Sequence, residues 1–251
     1  MSGKQGFLLV ALLLQCFGLR AELLFRSAEQ VEGRQRWSDI RKYSSPSDIA
    51  YAQDHAEEVH VLLAGAITFA DVGSVGVMAG LIRSGKQKLA GNSVWLASNG
   101  GDIDAAMELG RLLRELGIFT VVGKDDQCMS ACVFSFMGGE RRTIAGRIGI
   151  HRPFFPYTQN LPDRQQRFRF LQRTLKEYVE ELDFPASLYE AMMLVPPESV
   201  KILTVAELKR FYLEGISPSS EDLADAAEAR RLDLSMVDYL RHKAKAAAGG
   251  G

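Results

Sequence analysis

Four short runs of Val, Leu and Ile constrain this chain's fold more than any other feature. They are VHVLLAGAI (59–67), SVWLAS (93–98), IFTVVG (118–123) and RIGIHR (147–152). Each is too short for a stable helix and apolar enough to be a strand buried on both faces. Helical segments lie between them. FADVGSVGVMAGLIRSG follows the first run and stops at Gly85; NGGDIDAAMELGRLLRELG follows the second and stops at Gly117. Glycine is the usual residue just past a helix end. MSACVFSFMGG follows the third run and is apolar throughout, which reads as a buried helix. Strand–helix alternation at roughly 20–35 residues per unit predicts parallel β-α units and an α/β class.

The ordered domain is expected to begin near Glu58, after a polar extension over 22–57 that contains the turn sequence SSPSD. It runs as a single domain to residue 218. Phe168, Leu171, Leu175 and Tyr178 are spaced as one face of a helix over 164–183. A short helix over 185–197 is broken by Pro196 and Pro197. Thr204 with Glu207 is a capping box that opens a further helix. Residues 219–251 read as a helical C-terminal extension whose last stretch, AKAAAGGG, is expected to be disordered. The basic stretch DRQQRFRFLQRTLK (163–176) reads most simply as a solvated helix face.

Residues 1–21 begin with Lys4 and an apolar run over 6–19, shorter than the about 20 residues of a membrane span. This is the pattern of a signal peptide, with Ala21 as the cleavage position, although Leu19 is a poor match to the small residue expected there. The expectation is an exported, periplasmic protein, with an uncleaved segment tethering it to the membrane as the alternative. Removal of the segment takes Cys16 with it and leaves Cys128 and Cys132, in a compartment where disulfides persist. Two thiols do not make a zinc framework, and their C-x-x-x-C spacing is not that of a thioredoxin motif. The spacing allows a bridge; two small residues packed in a buried helix is the equal alternative. The net charge of −1 gives no general attraction for nucleic acid. No G-x-x-x-x-G-K-[ST] motif is present, and no metal or other cofactor is expected.

Chemistry concentrates at the carboxyl ends of the strands, where sites form in parallel sheets. SNGG (98–101), the CMSAC segment around Ser130 and IHRP around His151 fall at successive strand ends. Ser130 is expected near a helix start, where amides point outward and negative charge is favoured. Glycines in SNGG let the backbone approach closely, so an amide there and one beside the serine could form an oxyanion hole. His151, fixed by packing after an apolar strand, could act as a base. Each feature alone has a plainer reading: a helix cap, a structural histidine, a turn.

Taken in order, the segments resemble a known family. SNGGDIDAAMELGRLLRELGIFTVVG resembles the oxyanion-loop, helix and strand of Clp-protease proteolytic subunits. CMSACVFSFMGGERR resembles their nucleophile helix, IGIHRP their histidine strand and LTVAELKRFYLEGI their closing helix. The resemblance covers roughly 58–218 and is to the Clp-protease/crotonase superfamily, in an exported branch. It implies a spiral of β-β-α units with parallel strands and flanking helices. It also implies Ser130 as nucleophile, His151 as base, and Gly101 and Ala131 as oxyanion-hole donors. The family's third member, an Asp, has no match here: an ungapped count lands near Val200, in PPESVKIL, with Glu198, Ser199 or a backbone carbonyl left to orient the histidine. The implied activity is a serine peptidase acting without ATP on peptides or unfolded proteins, with a homo-oligomer as one assembly. The alternative is a catalytically silent binding or scaffold protein on the same fold. An acyl-CoA enzyme is a remoter reading, because that cofactor is not expected outside the cytoplasm.

Overall fold

β3 (Glu58–Ile67) and β4 (Lys88–Gly101) run side by side as a long parallel pair at the centre of the sheet. The computed structural model describes residues 22–27, 41–43, 58–154 and 163–248 of the chain. The crossover between these strands is α1 (Phe69–Arg83), opened by the Thr68–Asp71 capping box and followed by Gly85 at φ +69°. β4 leads into α2 (Ile103–Glu115), whose N-cap Asp102 accepts from Ala105 N at 2.9 Å. Ala105, Ala106, Leu109 and Leu113 form its buried face at helical spacing.

Beyond α2 each unit supplies two strands. β5 (Phe119–Val122) and β6 (Gln127–Met129) precede α3 (Cys132–Met137). β7 (Arg141–Ile144) and β8 (Arg147–Ile150) precede α4 (Arg164–Glu181). The sheet forks at β4: β5 pairs parallel with Ser93–Trp95 and carries β7, while β6 pairs parallel at Ser98 and carries β8. The fold is therefore the α/β arrangement of ββα units with parallel strands and flanking helices. Short antiparallel strands close the edges, β9 (Lys201–Ile202) on β8 and β10 (Gly215–Ile216) on β7.

The order of the chain departs from the sequence reading in four places. β1 (Glu22–Ser27) pairs antiparallel with β3, and β2 (Arg41–Tyr43) pairs with β1, so the sheet extends upstream of Glu58. The SNGG glycines do not form a turn outside the strand; Gly100 and Gly101 stay in register with Ala66 and Ile67. Their φ of +108° and +149° are values open to glycine, and they let β4 bend while its pairing continues. QCM and RRTI are strands of three and four residues, too short to show a period. At the C-terminus, after α5 (Ala186–Leu194) and α6 (Val205–Arg210), α7 (Pro218–Arg231) is followed by α8 (Met236–Ala248), so AKAAA is helical; alanine is the strongest helix former. The final glycines and residues 1–21 lie outside the described residues. Among the described residues no helix is long and apolar enough to cross a membrane.

α3 is fully buried, so its terminal carbonyls need protein donors. Tyr178 Oη donates to Phe134 O at 2.7 Å and Thr120 Oγ1 to Phe136 O at 2.8 Å. Arg114 donates to Met137 O and Gly138 O, and Arg142 to Gly139 O. Arg142 is 1% exposed; burial, then the like charge of Arg114, pulls its guanidinium down to about 9. Side chains from β5, α2, β7 and α4 thus hold one six-residue helix in place. Tyr178→Phe keeps the edge-on ring contact with Phe134 but leaves Phe134 O without this donor. Denaturant unfolding should show a loss of about 1–2 kcal/mol; an unchanged midpoint would mean that the bond contributes nothing to holding α3.

Candidate active site

Ser130 lies between β6 and α3 with φ +55°, a left-handed conformation that a non-glycine residue adopts at a cost. Its amide donates to Gly149 O of β8 at 2.9 Å, and its carbonyl accepts from Val133 N at 3.1 Å in the first turn of α3. The chain thus reverses sharply at Ser130. This differs from a serine within the first turn of a regular helix: Ala131 is the N-cap, and Ser130 precedes it.

The bend of β4 packs directly on this reversal. A methyl group at Gly100 would lie 2.8 Å from Ser130 Cβ and 3.1 Å from Ala131 N, so only glycine fits there. Ser98 Oγ accepts from Gly100 N at 3.0 Å, and Asp102 N donates to Ile67 O at 2.9 Å. Gly101 lies between these two committed amides, against the backbone of Ile67. Ala131 N lies against Gly100. Gly101 and Ala131, the residues singled out as oxyanion-hole donors, therefore flank the junction of β4 with the Ser130 reversal. Gly100, which touches the serine, was not singled out, though the Gly-Gly pair was its signal.

His151 follows β8 directly. β6 and β8 are hydrogen-bonded parallel neighbours with Met129 opposite Gly149, so Ser130 and His151 leave the carboxyl ends of adjacent strands. The imidazole is 9% exposed. Its Nδ1 is 3.0 Å from the Arg152 carbonyl oxygen. A carbonyl only accepts, so Nδ1 is the donor of this bond, and in the neutral ring that leaves the lone pair on Nε2, the atom a base would use. Arg152 N in turn donates to Val195 O at 2.8 Å, and Phe154 packs 5.9 Å from the imidazole, centroid to centroid. Among the described residues no direct hydrogen bond joins Ser130 Oγ to His151. Catalytic hydrogen bonds are often loose before substrate binds.

Extending the β8–β9 register, in which Gly149 faces Ile202 and Ile150 faces Lys201, sets Val200 opposite His151. That register position therefore holds an aliphatic residue. Glu198 and Ser199 are both exposed, and neither hydrogen-bonds the imidazole among the described residues. The Arg152 carbonyl is the observed partner.

Cys128 and Cys132 are joined by a disulfide with a Cα–Cα distance of 5.3 Å, and both are fully buried. The bridge does not span a helical turn. It connects the last strand residues to the first residue of α3 across the reversal, which brings the two Cα atoms into bridging range. So short a loop adds about 2 kcal/mol at most by the loop-entropy relation, so its effect is chiefly to fix the backbone on either side of Ser130. Protein isolated without reductant should resist thiol alkylation at Cys128 and Cys132 after unfolding, and take a label at each once reduced; labels at these two residues without reductant would contradict the bridge. Among the described residues no cluster of His, Cys, Asp or Glu could hold a metal ion.

No protein-family model and no curated protein sequence matches the chain. Solved structures do. A ClpP1 mutant from Listeria monocytogenes is 16% identical over 66% of this chain and 92% of its own, with a TM-score of 0.47. A mutant of the 1510-N membrane-bound stomatin-specific protease is 16% identical over 61% of this chain and 75% of its own, with a TM-score of 0.46. A second mutant of that protease, in complex with a substrate peptide, is 15% identical over 61% of this chain and 71% of its own, with a TM-score of 0.44. These are likenesses of fold, and they assign no residue a role.

Proposed function

We propose that the protein is an exported serine peptidase that works without ATP, with Ser130 as nucleophile and His151 as general base. The observation that carries this reading is the Ser130 reversal. A serine is kept at φ +55° between the Gly149 carbonyl and the Gly100 backbone, beside a histidine whose Nδ1 proton is committed to a carbonyl. A helix cap needs none of this.

In the reaction His151 Nε2 takes the proton of Ser130 Oγ as the oxygen attacks the scissile carbonyl. The resulting oxyanion accepts hydrogen bonds from Gly101 N and Ala131 N. The imidazolium then gives its proton to the leaving amine, and water enters by the same base to release the acyl group. The Arg152 carbonyl orients the ring but carries no full negative charge, so it stabilises the imidazolium less than a carboxylate would. The expected rate is modest and the expected substrates are short or unfolded peptides. The disulfide and the signal-like residues 1–21 support export. Sequencing the N-terminus of the mature protein tests it.

A catalytically silent binding protein is the second reading. Val200, at the register position facing His151, favours it. Hydrolysis of short ester and peptide substrates without nucleotide separates the two: turnover lost in Ser130→Ala supports the peptidase, and equal rates in the variant and the parent support the binding protein.

A further inference from the structure

From its first turn to its middle, α4 carries arginines that its own folding does not explain. Arg167, Arg169 and Arg173 are exposed, and among the described residues none is paired with a carboxylate. The other end of the helix differs: Arg111 pairs with Glu181 at 2.7 Å, and Lys176 with Glu180 at 3.8 Å. A cation in the first turn of a helix, as Arg167 is, works against its dipole. The arginines do not serve the core either, which α4 meets through Leu171, Leu175, Tyr178 and Val179.

The three arginines line a groove of about 860 Å³ with Phe170, which is 62% exposed and lies 5.9 Å beneath the Arg173 guanidinium. Asp104 also lines it, from the first turn of α2, four residues after Gly100, which packs on Ser130. Asp163 is the remaining carboxylate of the lining, so cations outnumber anions. Burial, then Asp102, holds the Asp104 carboxyl above its ordinary range, which a guanidinium partner would have opposed.

We propose that this groove takes acidic stretches of peptide, so that the protein prefers chains bearing Asp or Glu beside the bond at Ser130. The inference rests on the peptidase reading for the site it serves. The groove's concavity suits an extended chain better than a flat bilayer, and its exposed arginines supply the complementary charge.

The test is binding to full-length Ser130→Ala protein, which needs no turnover. Labelled peptides of equal length, one with Glu and Asp and one with Gln and Asn at the same positions, are titrated and followed by fluorescence anisotropy. The acidic peptide should bind roughly tenfold tighter at low salt, and the gap should narrow as salt rises. The further changes Arg167→Gln and Arg173→Gln should remove most of the preference. Equal affinity for the two peptides, or a preference untouched by these changes, would overturn the proposal. So would binding of phosphatidylserine vesicles or a single-stranded oligonucleotide with no binding of either peptide. A clear acidic preference in a parent protein that hydrolyses nothing would uphold the groove and refute the peptidase reading instead.

Discussion

Ser130→Ala and His151→Ala should each lower peptide or ester hydrolysis about 10³-fold or more, and the double variant should be no worse than either. Nucleophile and base act as one unit: without Oγ there is nothing for Nε2 to deprotonate, and without Nε2 the hydroxyl stays protonated. Both variants should fold, because neither Ser130 Oγ nor His151 Nε2 bonds another side chain among the described residues. Glu198→Ala and Ser199→Ala should change the rate little, because both side chains are exposed and the ring is oriented by a backbone group. A large loss in either would identify the orienting group and displace the carbonyl from that role. Independent, multiplying effects of Ser130→Ala and His151→Ala would contradict a shared proton transfer.

The second large effect is expected at Gly100. An alanine methyl would lie 2.8 Å from Ser130 Cβ and 3.0 Å from Met129 O, at a φ of +108° that a side chain rarely accepts. Either the β4 bend or the Ser130 reversal must shift. The strain should cost about 1–3 kcal/mol of stability. The displaced nucleophile should cost about 10²-fold in kcat/KM. Gly117→Ala is the matched control. It also has positive φ, +62°, but its methyl would meet the end of the Glu140 side chain, away from the site. It should lose some stability and keep its kcat/KM. Equal activity of Gly100→Ala and the parent would mean that close approach of β4 to Ser130 is not needed.

The sequence made the parallel core legible because its strands are continuous apolar runs and the helices between the first of them stop at glycines. α1, α2 and the Thr204 capping box fall where those signals put them. QCM and RRTI were not legible, since three or four residues show no alternation and both are partly polar. ELLFRS of β1 was obscured by the polar residues after it, although Leu23, Leu24 and Phe25 are a strand signal in themselves. Of the candidate site, the placing of Ser130 and His151 at successive strand ends, with the glycine pair nearby, follows from residue type and order. The reversal at Ser130 does not, because nothing local marks a serine for positive φ; it comes from pairing with β8 and contact with Gly100. The C-x-x-x-C spacing leaves a bridge and two packed small residues equally open; a strand, a reversal and a helix start bring the sulfurs together. The partner of His151 is a backbone carbonyl, to which no residue type points.

The most direct measurement is reaction of the purified, unreduced protein with a fluorophosphonate, followed by mass-spectrometric mapping of the modified residue. Such reagents phosphonylate a serine oxygen, with loss of fluoride, only where a base and oxyanion donors activate it. The account predicts a single adduct on Ser130, absent from Ser130→Ala and strongly slowed in His151→Ala. No adduct on the folded parent protein, or equal labelling of Ser130→Ala, would contradict it and leave Ser130 as a structural element of a binding protein.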